Sequence, residues 1–226
     1  MKLYLKAYSS FIDDGSVEIK KELKRKYKLE TRRQDKFIHL AVYGAQLLKE
    51  KIEINSDDEL YITSGVGDVD IVQKTNTYMY KENQPLKLFD FINLLGNTTS
   101  YYVAKSLGIK GKSIFQISDN HTFKNTLISA YSSAMSSKKD VIIGSVDLVS
   151  EPDEVIKRVL GVKKSLKVLT SVNFQKFSLD SKDAIAEVKF ELNNTSTCRD
   201  VKKPFETYES FLLNSAIGDG ERVIKI

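Results

Sequence analysis

The sequence has little of the residue types from which many functional sites are built. Among its 226 residues there is one cysteine, Cys198, and there are two histidines, His39 and His121. A single cysteine excludes an intramolecular disulfide and a cysteine-built zinc site, and two histidines exclude a histidine-rich metal site. We therefore expect no metal and no disulfide framework.

Long apolar runs and targeting signals are also absent. No run approaches the roughly 20 residues that a membrane-spanning helix needs, and the start, MKLYLKAYSSFIDDGS, is too polar for the apolar region of a signal peptide. We therefore expect a protein of the cytoplasm without a membrane span. Neither a Walker loop nor a complete dinucleotide fingerprint occurs, since Gly65 and Gly67 fit only its first part, so we expect no cofactor.

What is present is typical of one globular domain over residues 1–226. Hydrophobic residues make up 41% and aromatic residues 10%, and there is no linker-like stretch or repeat. The net charge of +5 is concentrated in KKELKRKYKLETRR at 20–33. Such a run is usually a solvated helix face, but it also suits nucleic acid, a membrane surface or an acidic protein. Because few aromatic residues are interleaved there, we do not favour nucleic acid.

Strands and helices alternate along the chain, which favours a layered α/β domain. Helical spacing of apolar residues predicts helices over 17–28, 32–51, 123–139 and 205–216, and Gly44 in the second of these predicts close packing. Alternating or continuous apolar runs predict strands at 2–8, 59–67, 112–118, 140–150, 165–177 and 184–192.

A strand-to-helix corner falls at 118–121, where the strand KSIFQIS meets the following helix. A helix start stabilises negative charge, so many α/β enzymes hold a nucleophile in such a place. Here it offers four polar residues, which we call the corner: Ser118, Asp119, Asn120 and His121.

Four stretches, taken in order, resemble the N-terminal half of a β-ketoacyl synthase, the thiolase-fold condensing enzyme of fatty acid and polyketide synthesis. RRQDKFIHLAVYGAQLL is similar to the family's Arg-Arg-Met-Asp-x-Phe helix, and NTTSYYVAKSLGIKGKSIFQIS to the segment that enters its active site. SSAMSSKKDVIIGSVD resembles the helix and strand that close with a Gly-Gly-Val-Asp-like turn, and SKDAIAEVKFEL a later strand with its glycines lost. The resemblance implies a thiolase-like α-β-α fold, here a single N-terminal half with a mixed, mainly parallel sheet.

The resemblance also shows what this sequence lacks. The family's nucleophilic cysteine corresponds to a position at or next to Asn120, twenty residues before Asp140, where no cysteine occurs, and Cys198 lies far beyond the corner. The two catalytic histidines belong to a C-terminal half that has no counterpart in these residues. Condensation needs a thiolate to hold the acyl chain and histidines to stabilise the enolate. We therefore expect no catalytic residue and no activity of the chain alone.

Ketosynthase-like subunits without the cysteine are chain length factors, which pair with a competent ketosynthase and shape the tunnel for the growing chain. The resemblance implies such a role, with a full-length β-ketoacyl synthase or a second copy as dimer partner and with acyl carrier protein as a further partner. Acyl carrier proteins are acidic and ketosynthases meet them with Lys and Arg near the tunnel mouth, which gives the basic run Lys20–Arg33 a second possible meaning. The resemblance places Ile114, Phe115 and Ile117 in the dimer interface and Asn120, His121 and Phe123 at the tunnel.

Two other functions remain open on the sequence. One is a homodimeric protein that binds an acyl or aromatic ligand on a degenerate thiolase fold. The other is a hydrolase or acyltransferase that uses Ser118 with His121 or with the distant His39, although neighbouring positions at a corner point in different directions.

Overall fold

The computed structural model describes residues 1–65, 67–117, 122–148, 170–190 and 207–225. The strands are β1 Lys2–Ile12, β2 Glu59–Thr63, β3 Ser113–Gln116, β4 Val141–Asp147, β5 Ser171–Ser178, β6 Ala186–Lys189 and β7 Val223–Lys225. The helices are α1 Ile19–Arg25, α2 Lys36–Lys49, α3 Val69–Asn76, α4 Leu88–Leu94, α5 Gly96–Leu107, α6 Thr122–Ser137 and α7 Thr207–Gly218, with a π-helical turn at Thr77–Lys81.

The seven strands form one mixed sheet in the order β3-β2-β4-β5-β1-β6-β7. The ladders β2–β3, β2–β4 and β6–β7 are parallel, and β4–β5, β5–β1 and β1–β6 are antiparallel. The mixed sheet is as predicted, but half of the described ladders, rather than most, are parallel. The difference arises in the middle of the sheet, where the long strands β1 and β5 pair antiparallel.

Helices cover both faces of the sheet, which confirms the predicted α-β-α layering. Helices α1, α2 and α5 enclose a first core, and α6 and α7 enclose a second core on the opposite face. Successive residues of a strand point to opposite faces, so Leu60 and Ile62 of β2 enter the first core while Tyr61 enters the second. All seven residues of β4 are buried, as its continuous apolar run predicts.

Strand β1 changes face along its length because it carries a β-bulge. Leu5 lies opposite Phe177 and Ala7 lies opposite Lys176, so Lys6 is an extra residue in β1. Before the bulge, Leu5 points into the second core, and after it Ala7 points into the first core. Strand β1 thereby contributes buried side chains to both cores.

The start and the packing of α2 follow from its sequence. The predicted helix over 32–51 begins at Lys36 because Asp35 caps it, its carboxylate accepting a hydrogen bond from the Ile38 amide at 2.8 Å. Gly44 lies against β5 so closely that a Cβ there would stand 2.4 Å from Val172 Cγ2. The predicted close packing at Gly44 is therefore confirmed.

The elements near the C-terminus belong to the same layers. The predicted helix over 205–216 is observed as α7, and β7 adds a strand that the sequence pattern does not indicate. A buried amide joins α7 to the sheet, since Gln175 Nε2 donates to Ser210 Oγ at 2.7 Å and to Asn214 Oδ1 at 3.0 Å.

Candidate functional site

The three parallel strands β2, β3 and β4 have their carboxyl ends on the same side of the sheet, which is a common place for ligands in α/β proteins. At these carboxyl ends, the Asp147 carboxylate holds the turn after β2 by hydrogen bonds. Its Oδ1 accepts hydrogen bonds from Ser64 Oγ and from the Gly65 amide, both at 2.9 Å. Ser64 Oγ in turn accepts from the Gly67 amide at 2.9 Å. The turn is thus held in a fixed shape beside the end of β3.

The corner comes between β3 and α6 in the chain. Strand β3 and helix α6 flank it as predicted, ending at Gln116 and beginning at Thr122. Its four residues, Ser118, Asp119, Asn120 and His121, lie outside the described residues, as does Cys198. Their assignment to the corner remains a prediction from the sequence.

An apolar cavity of about 350 Å³ opens next to the residue that precedes the corner. Its lining side chains come from five parts of the fold and include Phe37, Val72, Leu94, Phe115 and Ile117. Gly96 permits a close approach of α5 to this wall, because a Cβ there would lie 2.4 Å from Phe115 Cδ1. Asp68, Asn93 and Thr99 also line it, but most of its lining residues are apolar, as is typical of a site for a hydrocarbon or aromatic group.

The predicted interface residues lie along the edge strand β3 of the sheet. Ile114 and Phe115 are half-buried, the first against the second core and the second against the first core. Ile117 is 48% exposed. In the described residues β3 pairs with β2 alone, so its other edge is open. Their role in an interface remains a prediction.

The remaining predicted site residues have structural surroundings that the sequence did not indicate. Phe123, predicted near the tunnel, is fully buried in the second core. His39 is buried on α2, its Nε2 lies 3.1 Å from the Thr31 carbonyl oxygen, and burial lowers its pKa. The imidazole is thus held by backbone in the first core.

A second cavity, of about 260 Å³, lies beside the first, between the starts of α2 and α3 and the helix α4. Asp68 caps α3 by accepting from the Ile71 amide at 3.1 Å, as Asp35 caps α2. The two cap carboxyls contact each other, and burial raises the pKa of both, most strongly that of Asp68, to about 8. Repulsion from the neighbouring Asp35 charge adds to the effect of burial on Asp68. Sequence reasoning missed this pair, since the two residues are far apart in the chain.

The raised pKa of Asp68 makes the stability of the fold depend on pH. The ordinary pKa of an aspartate is 3.8, so the unfolded chain loses the Asp68 proton above this pH, whereas the folded protein keeps it up to about pH 8. The free energy of unfolding therefore falls as pH rises from about 4 to about 8. Asparagine also caps helices but does not ionise. We expect Asp68→Asn to flatten this dependence and to be more stable than the wild type at pH 8, measured by urea unfolding at several pH values. Asp57→Asn, at an exposed site, should leave the change of the free energy of unfolding with pH, between pH 5 and 8, the same as in the wild type. If Asp68→Asn also showed the same change as the wild type, the assignment would be contradicted.

The basic run 20–33 lies on α1 and the loop that follows it. Ile19 and Leu23 anchor α1 in the first core, whereas the lysines and arginines of the run are exposed. Some of them form ion pairs, such as Lys26 with Glu50 at 2.5 Å. The run is therefore an exposed basic surface on the α2 side of the sheet.

The described part of the chain contains neither a cluster of metal-ligating side chains nor a membrane-spanning helix. No group of three or more His, Cys, Asp or Glu side chains is placed to hold a metal ion there. None of the described helices is long and apolar enough to cross a membrane.

Comparison with known proteins finds likeness in structure alone. No protein-family model and no curated sequence matches the chain. A chain of a ketosynthase in complex with its chain length factor from Xenorhabdus doucetiae matches with a TM-score of 0.61 and 11% identity, over 80% of this chain and 81% of that one. The ishigamide ketosynthase/chain length factor matches with a TM-score of 0.61 and 12% identity, over 74% of this chain and 49% of the other.

A third structure, a type II polyketide synthase acyl-carrier protein in complex with its ketosynthase bound to the hexaketide, matches with a TM-score of 0.52 and 11% identity. The match covers 78% of this chain and 58% of that chain. The chain thus spans about half to four-fifths of the length of these three chains. The shared architecture confirms the predicted thiolase-like, layered α/β fold.

Proposed function

We propose that this chain, which has the fold of the ketosynthases, is a non-catalytic subunit of chain-length-factor type that pairs with a competent β-ketoacyl synthase. The observation that carries the proposal is the absence of cysteine from the corner. A ketosynthase attaches the acyl chain to a thiolate, and Ser118, Asp119, Asn120 and His121 provide none. The two structures matched at a TM-score of 0.61 are a ketosynthase bound to its chain length factor and a ketosynthase/chain length factor, which is consistent with this role.

The open edge of β3 supports the pairing. An unpaired edge strand invites association, and large exposed apolar patches mark interaction surfaces. Ile117, the residue after β3, is 48% exposed. Phe91 on α4, Leu95 between α4 and α5, and Tyr101 on α5 are 51%, 45% and 58% exposed. We propose that the partner subunit covers this edge, with Ile114, Phe115 and Ile117 in the interface.

The apolar cavity gives the proposed subunit a way to act on chain length. It opens beside Ile117, the residue before the corner, and Phe115 and Leu94 form part of its wall. A hydrocarbon chain made by the partner would extend toward this wall, and Asn120 and His121 would act on the same end of the tunnel. Phe123 is buried in the second core, on the other face of the sheet, so we do not extend the proposal to it. The exposed basic surface at 20–33 would meet an acidic acyl carrier protein by charge attraction.

The test is a condensation assay with radiolabelled malonyl-carrier protein. We expect no condensation product from the wild type alone, and none from Asn120→Cys alone, because a new thiol would lack the histidines with which it must act. Together with a full-length ketosynthase from the same organism, the wild type should form product. Product from the chain alone would overturn the non-catalytic role.

A second function, that of a homodimeric binding protein for an acyl or aromatic ligand, is favoured by the same cavity of about 350 Å³. Purification of the protein from its native host distinguishes these two functions. Recovery of a ketosynthase in equal amount supports the subunit, and recovery of a self-dimer with a bound hydrophobic compound supports the binding protein.

A further inference from the structure

The segment 76–89 carries large apolar side chains on its outside, and the proposed function does not use them. It runs from the end of α3 through the π-helical turn Thr77–Lys81 to the start of α4, and none of its residues is buried. Tyr80 is 78% exposed, Leu88 66% and Met79 46%. Among the large apolar residues of the described part of the chain, Tyr80 and Leu88 are the two most exposed. We call Met79, Tyr80 and Leu88 the tip.

The tip is held in a fixed shape by contacts within its own segment. The Glu82 amide donates to the Thr77 carbonyl oxygen at 3.0 Å, and the Gln84 amide donates to the Tyr78 carbonyl oxygen at 2.8 Å. The Lys87 ammonium lies 5.0 Å from the centroid of the Tyr78 ring, which joins the π-helical turn to the residue before α4. The apolar side chains are therefore presented by an ordered turn, so little conformational freedom is lost when they bind.

Basic side chains surround the tip. Two of them adjoin Tyr80 and Leu88 in the sequence, and the third lies beside Leu88 in space: Lys81, Lys87 and Arg33. The Arg33 guanidinium stands 4.5 Å from the centroid of the Phe89 ring. Glu82 is the one acidic residue of 76–89, and the next, Asp90, is buried and paired with Lys74. The exposed charge around the tip is therefore mainly positive.

We infer that the tip inserts into the headgroup region of an anionic lipid membrane. A tyrosine and other apolar side chains flanked by basic residues are typical of segments that lie at the boundary of headgroups and acyl chains. Each basic residue near an anionic leaflet adds to the attraction. A protein partner suits the tip less well, because three side chains offer far less than the roughly 800 Å² that each partner contributes to a stable protein interface.

The inference is independent of the subunit role proposed above. The proposed interface uses Phe91 and Leu95, toward the far end of α4, whereas Leu88 begins that helix. Leu88 and Leu95 are about 10 Å apart along the helix axis. The partner subunit and the membrane therefore bind different side chains, and the failure of one proposal leaves the other standing.

The first experiment places a fluorescent reporter in the tip. The chain has no tryptophan, so Met79→Trp reports on the tip alone. On mixing with vesicles of equal parts phosphatidylcholine and phosphatidylglycerol, its emission should move to shorter wavelength, and phosphatidylcholine brominated on its acyl chains should quench it. Vesicles of phosphatidylcholine alone should have a weaker effect. Absence of binding would overturn the inference, and so would binding without the shift, since the basic run 20–33 would then be the contact.

Apolar variants test whether the tip contributes to affinity. Tyr80→Ser combined with Leu88→Ser should lower the affinity for the mixed vesicles more than about tenfold, measured by co-sedimentation. Tyr101→Ser combined with Val223→Ser is the matched control, because these residues are 58% and 51% exposed elsewhere on the surface. The control should bind as the wild type does. Circular dichroism checks both folds, and an equal loss in the two double variants would contradict the inference.

Charge variants test the attraction to anionic lipid. Lys81→Gln combined with Lys87→Gln should weaken vesicle binding roughly 30-fold. Lys189→Gln combined with Lys225→Gln removes the same charge near the opposite edge of the sheet and should have little effect. Equal weakening by the two pairs would mean that overall charge alone attracts the chain, which would overturn the inference.

A protein surface would give a different result. If the tip contacts the partner subunit, Tyr80→Ser combined with Leu88→Ser should prevent co-elution with the ketosynthase and leave vesicle binding as in the wild type. This outcome would assign the tip to a protein interface and overturn membrane insertion. We expect the reverse, with co-elution retained and vesicle binding lost.

Discussion

Ile117→Lys is expected to abolish the association of this chain with its partner subunit, or with itself, so that the variant elutes as a monomer. Ile117 is 48% exposed, so a lysine there has little effect on the isolated subunit. In an interface along β3, the same ammonium would be buried without a counter-charge, which is far more costly than the lost apolar contact.

Size-exclusion chromatography with light scattering measures the result, and circular dichroism checks that the fold is retained. Val223→Lys is the matched control, since Val223 is 51% exposed and lies on β7 at the opposite edge of the sheet. It should leave association intact. Ile114→Lys is a less clear test because Ile114 packs against the second core. An unchanged oligomeric state of Ile117→Lys would show that the interface lies elsewhere.

Lys176→Met is expected to cause the largest loss of stability among the single substitutions discussed here. Lys176 is 3% exposed on β5, and its Nζ donates to Asp58 Oδ2 at 2.7 Å and to the Glu53 carbonyl oxygen at 3.1 Å. Burial already raises the pKa of Asp58 although Lys176 opposes this, so removal of the lysine leaves a buried carboxylate uncompensated. Breaking such a pair costs about 3–5 kcal/mol.

Urea unfolding at pH 7 measures this loss. Lys189→Met removes an exposed lysine that pairs with Glu187 at 3.3 Å and should change the free energy of unfolding by less than about 1 kcal/mol. Adding Asp58→Asn to Lys176→Met should recover part of the loss, because the buried charge is then gone. A loss for Lys176→Met no larger than that for Lys189→Met would contradict this account.

Local pattern was sufficient to predict most of the elements. Continuous or alternating apolar runs predicted six of the seven strands, and the small residues around Gly44 predicted close contact with another element. The three-residue strand β7 is too short for a periodicity to appear. Helix α3 was missed because five of its eight residues are polar, which leaves too few apolar residues for a helical pattern.

The sites depend on residues that only the tertiary fold brings together. Asp35 and Asp68 look like ordinary helix caps in the sequence, and their contact arises because α2 and α3 begin at the same place. Lys176 sits in a strand whose neighbours give no sign that its ammonium is buried. Sequence order likewise did not reveal that β1 pairs with β5 and β6 in the middle of the sheet.

The central position of β1 bears on how the chain folds during synthesis. Residues 2–12 leave the ribosome about 160 residues before the strands on either side of them, which at cellular rates of synthesis is a delay of roughly 10–30 s. During that time Leu3 and Leu5 have no strand to pair with and no second core to enter. Contacts as distant as that between the Met1 amino group and the Phe190 carbonyl, 189 residues apart, give the domain a high contact order and slow folding. Nascent chains that end before about residue 190 should therefore bind chaperones through β1.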